Sequence, residues 1–163
     1  MISTLDHLII AVEDLNQAEQ NYTKILGTNP VWRGRHESLG TANSIFNFKN
    51  TYLELLTADG EGLGAELVKN SIEENGDGLA GIVFGVNDMS KTVEELKKEG
   101  YTISDPTEGE GADDMSEKVR KWENLFLPPE LTRGLFSFII QHHDGELPLS
   151  LIHISEPTRP LII

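Results

Sequence analysis

Two stretches of the chain carry the same pattern of apolar and polar positions. Leu5-Asp-His-Leu-Ile-Ile-Ala-Val-Glu-Asp-Leu15 is matched by Leu79-Ala-Gly-Ile-Val-Phe-Gly-Val-Asn-Asp-Met89, which begins 74 residues later. Each opens as an apolar run rich in β-branched residues, the signature of a buried strand. Each run ends in an aspartate, Asp14 or Asp88, placed where a helix N-cap sits. The spacing then switches to a helical period. Leu15, Ala18, Tyr22 and Ile25 share one face of the first predicted helix, and Met89, Val93 and Leu96 share one face of the second. Gly27 and Gly100 stand where the two helices end.

Three short strands are expected after each helix. In the first copy they are Pro30 to Arg35, Ser44 to Lys49 and Thr51 to Thr57. In the second they are Tyr101 to Ser104, about Val119 to Phe126, and Leu135 to His142. Between the first two of these lies Thr107 to Asp114, glycine-rich and acidic, which reads as a mobile loop. A bridging helix is predicted over Gly64 to Glu74, closed by the turn Asn75-Gly-Asp-Gly78. The expectation is therefore an α+β domain over residues 1–148, built from two βαβββ units at about 1–60 and 77–148. Their mixed sheets would form an open half-barrel.

These units, opened by Asp6-His7-Leu8-Ile9 and carrying Tyr52-Leu-Glu-Leu-Leu56 on the fourth strand, resemble the vicinal oxygen chelate superfamily of glyoxalases, extradiol dioxygenases and bleomycin-resistance proteins. Gly34-Arg-His36, Gly40-Thr-Ala-Asn43 and the late Phe136 to His142 stretch, with Trp122 upstream, are similar to its glyoxalase-like subgroup. The likeness runs over about residues 3–146. Residues 149–159, Leu-Ser-Leu-Ile-His-Ile-Ser-Glu-Pro-Thr-Arg, are instead similar to the in-frame translation of a sequencing-library adapter. Residues 149–163 are therefore read as an artefact tail, His153 is not recruited as a ligand, and the natural gene is expected to continue past Pro148.

Composition narrows the chemistry. The chain has 163 residues, enough to bury a core without a metal or disulfide to hold it. It has no cysteine, which removes disulfides, thiolate metal sites and cysteine nucleophiles, and a cytoplasmic protein is the simplest expectation. Neither a signal peptide nor a membrane-spanning run is visible. Thirteen Lys and Arg against 27 Asp and Glu give a net charge of −14, which opposes nucleic-acid binding. No phosphate-binding glycine loop follows a strand, so no nucleotide cofactor is expected, and no Gly-x-Ser-x-Gly or His-Glu-x-x-His motif occurs.

Strand alternation puts Glu54 on one face with Tyr52 and Leu56. A carboxylate in such apolar company is costly to bury unless a metal or cation meets it. The resemblance implies one divalent metal (Fe, Mn, Ni, Co or Zn), held from the first and fourth strands of each unit. On this chain His7 and Glu54 match in unit one. In unit two Gly81 stands at the first-strand position, and Gln141 is the nearest counterpart of Glu54, or Ile139 under another alignment. The pocket is expected to include His36, Asn43, Tyr52, His142 or its neighbour His143, and Gly81, where a bare strand position leaves room for a ligand or for close packing. Two functions follow as expectations: a small-molecule metalloenzyme of lyase, isomerase or dioxygenase type, or a metal-free ligand-sequestering protein. The resemblance also implies a homodimer.

Overall fold

The computed structural model describes residues 2–144 apart from Met115, Glu117 and Gly134. The tail reading for residues 149–163 and the continuation past Pro148 lie outside the described residues. Among the described residues, eight strands and four α-helices follow in the order β1 (Thr4–Ala11), α1 (Leu15–Leu26), β2 (Trp32–His36), β3 (Thr41–Asn47), β4 (Tyr52–Ala58), α2 (Leu63–Asn75), β5 (Gly78–Gly85), α3 (Met89–Lys98), β6 (Thr107–Asp113), β7 (Val119–Phe126), α4 (Pro129–Thr132) and β8 (Phe136–Asp144). The expected caps form: Asp14 Oδ1 accepts from Gln17 N at 2.9 Å, and Asp88 Oδ1 accepts from Lys91 N at 2.9 Å. Gly27 adopts φ 68°, a left-handed turn that a side chain would strain.

The strands form one mixed sheet in the order β1-β4-β3-β2-β6-β7-β8-β5, and β5 pairs back onto β1. This corrects the open half-barrel expected from the sequence, because the barrel is closed. A short antiparallel pairing of β2 with β6, Gly34 opposite Asp113 and Arg35 opposite Ala112, closes it. Glycine is required there, since a Cβ on Gly34 would strike the Ala112 carbonyl oxygen.

The strand β6 is the second correction. Thr107–Asp113, expected as a mobile loop, pairs along its length with β7, while Tyr101 to Ser104 makes no strand. Its glycines explain both the pairing and the misreading. A Cβ on Gly109 would collide with the Trp122 indole, and one on Gly111 would come within 3.1 Å of Trp122 and of His36. The bare strand is the bed on which Trp122 lies. Ile103, just upstream, packs instead against the core beneath α3.

Two apolar layers back the barrel. Outside β3 and β4, Ala42, Phe46, Leu53 and Leu55 pack under Val12, Leu15 and Ala18 of the α1 segment. Outside β7 and β8, Leu125 and Ile139 pack with Val86 and Met89. The alternate residues of the same strands point inward. Ile9, Val83, Trp122, Phe138 and Ile140 form one interior cluster, and Trp32, Ile45 and Tyr52 form another. Among the described residues, no helix is long and apolar enough to cross a membrane.

Candidate functional site

The barrel interior holds a chain of polar side chains walled by aromatic rings. It begins at β1 and β4, which run parallel with His7 opposite Tyr52 and Ile9 opposite Glu54. His7 and Glu54 are therefore diagonal neighbours on the inner face, within reach of each other. His7 Nε2 lies 3.3 Å from Glu54 Oε2, and both residues are buried. Behind His7, Asp6 Oδ1 sits 2.7 Å from Nδ1. The ring stacks on Tyr52 at 4.4 Å between centroids and meets Phe138 edge-on at 5.9 Å.

From Glu54 the chain continues into β3 and β2. Asn43 Nδ2 donates to Glu54 Oε1 at 2.6 Å and lies 3.3 Å from His36 Nε2. His36 Nδ1 is 2.9 Å from Thr41 Oγ1, its cross-strand partner. An amide N–H aimed at His36 Nε2 makes that nitrogen the acceptor, so Nδ1 carries the proton and the ring is neutral. At the other end of the chain, His142 Nε2 bonds Asp6 Oδ2 at 3.0 Å, and Arg120 Nη2 lies 3.4 Å from His142 Nδ1. The Arg120 guanidinium packs 5.6 Å from Trp32, 5.8 Å from Tyr52 and 5.9 Å from Trp122.

Charge follows from this geometry. Burial alone would push His7 down, but hydrogen bonds and charges from Asp6 and Glu54 outweigh it and raise its pKa. Burial would likewise push Glu54 up, yet the His7 bond and charge, then His36 and Asn43, bring it down to about 2. Asp6 is also lowered, its own burial overcome by hydrogen bonds from His142 and His7. Burial lowers His36, aided by the positive charges of Arg120 and His7 and opposed by Glu54. Burial raises Tyr52 well above the usual phenol value. His7 is thus an imidazolium held between two carboxylates.

The pH dependence of stability has a defined sign. Glu54 contributes stability that is present above its unfolded value of 4.5 and is lost as pH falls toward about 2. His7 contributes stability that is present below its unfolded value of 6.5 and is lost as pH rises through its higher folded value. The pair therefore contributes most between about 4.5 and 6.5. Because His36, with its lowered pKa, loses stability as pH falls below 6.5, denaturant unfolding should place the maximum toward the upper end of that window. Glu54→Gln should flatten the acid limb; an unchanged limb would remove Glu54 from the account.

Most of the residues expected in the pocket meet here: His7, His36, Asn43, Tyr52, Glu54 and His142. Gln141 does not. Its Oε1 accepts from Met89 N at 2.5 Å and ties β8 to the start of α3. Gln141 and Ile139 face the helix side, because the inward row of β8 is Phe136, Phe138, Ile140 and His142. Register supplies the true counterpart: as Ile9 lies opposite Glu54, Val83 lies opposite Phe138. Gly81 faces inward, and a Cβ there would come 3.0 Å from the Phe136 ring, so the room it leaves is filled by that phenyl. His143 points away, to Glu123 at 3.1 Å.

Sequence reasoning missed Asp6 and Arg120. Arg120 lies between Lys118 and Lys121 in a basic stretch of the sequence, but strand alternation puts it on the Trp122 face and separates it from Lys121. Asp6 turns toward the interior beside Gly85, where a Cβ would come 3.3 Å from Asp6 Oδ2.

A divalent metal finds two donors at this site, His7 Nε2 and a Glu54 oxygen, and Asp6 would hold the imidazole as an outer partner does. The other half contributes Gly81 and Phe138. Among the described residues, no three His, Asp or Glu side chains are grouped to hold an ion. Arg120 adds a further positive charge to the same interior. This donor set does not fit a metal centre.

The glyoxalase-like domain family model matches residues 5–158. The chain belongs to the glyoxalase-like domain family. Within the vicinal oxygen chelate superfamily, this domain is similar in fold to solved methylmalonyl-CoA epimerases. A Streptomyces coelicolor epimerase in complex with 2-nitronate-propionyl-CoA superposes with a TM-score of 0.70 at 19% identity, covering 88% of this chain and 100% of that one. A methylmalonyl-CoA epimerase bound to methylmalonyl-CoA and NH4+ gives 0.71 at 20%, covering 91% and 100%. The Mycobacterium tuberculosis epimerase gives 0.68 at 18%, covering 88% and 90%. At these identities the likeness is one of fold. No curated protein matches the chain.

Proposed function

We propose that this glyoxalase-like domain is an enzyme that relocates a proton on a small molecule bearing adjacent oxygens, with His7 and Glu54 as the acid–base pair. The observation that carries the reading is the buried facing of His7 Nε2 and Glu54 Oε2 at 3.3 Å. Each partner has its rear atom occupied. Asp6 accepts a hydrogen bond from His7 Nδ1–H, so Nε2–H carries the mobile proton, and Asn43 occupies Glu54 Oε1, so Oε2 is the free base oxygen.

The step balances without an oxidant or reductant. A substrate carbonyl oxygen displaces Glu54 from His7 and receives the Nε2 proton. With the imidazolium no longer bonded to it, Glu54 regains basicity and takes the proton from the adjacent carbon. The C–H electron pair forms the carbon–carbon double bond of an enediol as the carbonyl π pair moves to oxygen. Glu54 then gives its proton to the neighbouring, former carbonyl carbon, and the adjacent hydroxyl gives its proton to His7 Nε2 as it becomes the new carbonyl, which yields the isomer and restores the pair. Positioned acid–base groups of this kind supply roughly 10²–10⁴-fold each. No step is routed through a metal, because the donor set does not fit one.

The test is solvent deuterium uptake at carbon, followed by NMR with small 2-hydroxy and 2-oxo compounds in the presence of a chelator. Wild type should incorporate deuterium, and Glu54→Gln and His7→Ala should each lose about 10²-fold or more. Uptake undiminished in Glu54→Gln would overturn the assignment. The second reading, a ligand-sequestering protein, is favoured by the apolar second half at Gly81 and Phe138. Saturable binding with no exchange on any compound would establish it instead.

A further inference from the structure

Arg120 is the cation the acid–base reading leaves unused. Its side chain comes from β7 and crosses to Trp32 and Tyr52 on the far wall, with only 6% of the residue exposed. The other interior charges are compensated: Asp6 and Glu54 enclose His7. Arg33 and Arg35 are compensated too, by Glu19 at 3.0 Å and by Asp59 at 2.9 Å. Yet among the described residues no carboxylate pairs with Arg120, in a chain that carries 27 acidic residues. Its Nε is buried without a hydrogen-bond partner, its contact to an imidazole is long, at 3.4 Å, and its other polar neighbour is the uncharged Tyr52 hydroxyl. A buried guanidinium without an acidic partner is a poor structural choice, since an apolar side chain of similar volume would pack there without the desolvation cost. A second buried atom lacks a partner nearby: Asn43 Oδ1, on the residue whose amide N–H holds Glu54.

We propose that Arg120 is the seat of the substrate's carboxylate, and that the substrate class is small hydroxy acids that also carry a carbonyl beside the hydroxyl, with plain hydroxy acids as probes of the seat alone. The proposal rests on the acid–base reading above and adds what is held there. A guanidinium edge offers two parallel N–H donors, matched to the two oxygens of a carboxylate. Asn43 Oδ1 is an acceptor in want of an O–H, which the hydroxyl of a hydroxy acid supplies. The nearby Asp6 and Glu54 carboxylates set the charge limit. A monoanion is balanced by Arg120, whereas a phosphate dianion adds repulsion from both in a low-dielectric interior. Trp32, Tyr52 and Trp122 keep the guanidinium flat and exclude water from it.

The wild-type protein reports on this seat directly, because both of the chain's tryptophans, Trp32 and Trp122, pack on Arg120. Titration with lactate or glycolate at constant ionic strength should give a saturable change in tryptophan fluorescence. Methyl lactate, which lacks the charge, and sodium chloride should give none. Acetate, which lacks the hydroxyl, should bind at least fivefold more weakly, and inorganic phosphate should not compete. Arg120→Met should weaken lactate by tenfold or more while its melting temperature stays equal or rises. Arg120→Lys should keep a partial response. No fluorescence change with any carboxylate, tighter phosphate binding, or full affinity in Arg120→Met would overturn the proposal. So would a fall of several degrees in Arg120→Met with lactate binding intact, since Arg120 would then be a structural plug. The two readings separate cleanly. Arg120-dependent lactate binding without deuterium uptake sinks the acid–base step alone, and uptake on neutral ketones undiminished in Arg120→Met sinks the carboxylate seat alone.

Discussion

Glu54→Ala is expected to cost about 3–5 kcal/mol of unfolding free energy near pH 5.5, the range for breaking a buried ion pair by removing one partner. The substitution strands the His7 imidazolium against Asp6 alone and frees the Asn43 amide N–H, which spends its hydrogen on Glu54 Oε1 at 2.6 Å. The loss should shrink as pH rises through the raised pKa of His7, because the ring can then shed its charge. Denaturant unfolding of wild type and variant from about pH 5 to about pH 9 measures this. The double variant His7→Leu/Glu54→Ala should be markedly more stable than the sum of the single losses, since the two groups share one interaction. A loss that is independent of pH, with additive single effects, would show that the pair is not the compensated unit described here.

Gly34→Val should be nearly as severe, at about 3 kcal/mol, the upper end for overpacking. For a domain of this length that corresponds to a fall of about 6–12 °C in Tm. The clash is with a backbone carbonyl oxygen, that of Ala112, and with the Trp32 indole nitrogen at 2.6 Å, so a side-chain shift cannot absorb it. Relief requires β2 and β6 to separate, and those strands are the seam that closes the barrel. Amide hydrogen exchange should therefore accelerate at the seam more than at the β1–β4 pairing. Gly78→Ala is the matched control. Its Cβ would meet nothing within 4 Å, so it should be neutral or slightly stabilising. Equal effects of the two substitutions would mean that the seam contributes nothing to closure.

The strand and helix pattern was legible where local chemistry decides it. The β1 and β5 runs, the aspartate caps at Asp14 and Asp88 and the face of α3 are short-range signals that appear where the residues ask for them. On α1, Leu15, Ala18 and Tyr22 pack as expected, but Leu26 takes the place of Ile25, which is 74% exposed. The strand β6 was not legible. A run of glycines and acids has no strand propensity of its own, and it becomes a strand because Trp122 needs a surface without side chains. The same limit applied to the site. Counting in twos put Glu54 on one face with Tyr52 and Leu56, but its counterpart on the last strand was read as Gln141 or Ile139, both of which face the helices, and not as Phe138. That choice depends on the register of β5 against β8, and a one-residue slip exchanges the two faces.

The sequence by itself determined the paired strand–helix beginnings, the inward row of Tyr52, Glu54 and Leu56, the acidic surface and the absence of thiol chemistry. Tertiary structure alone decided that the barrel closes, that Asp6 backs His7, and that Arg120 lies among Trp32, Tyr52 and Trp122. The physical reason lies in range. Caps, turns and periodicities act between residues a few positions apart, so one segment is enough to reveal them. The charge state of a buried group depends on what faces it from other strands, and Asp6 and His142 meet at 3.0 Å across 136 positions of chain.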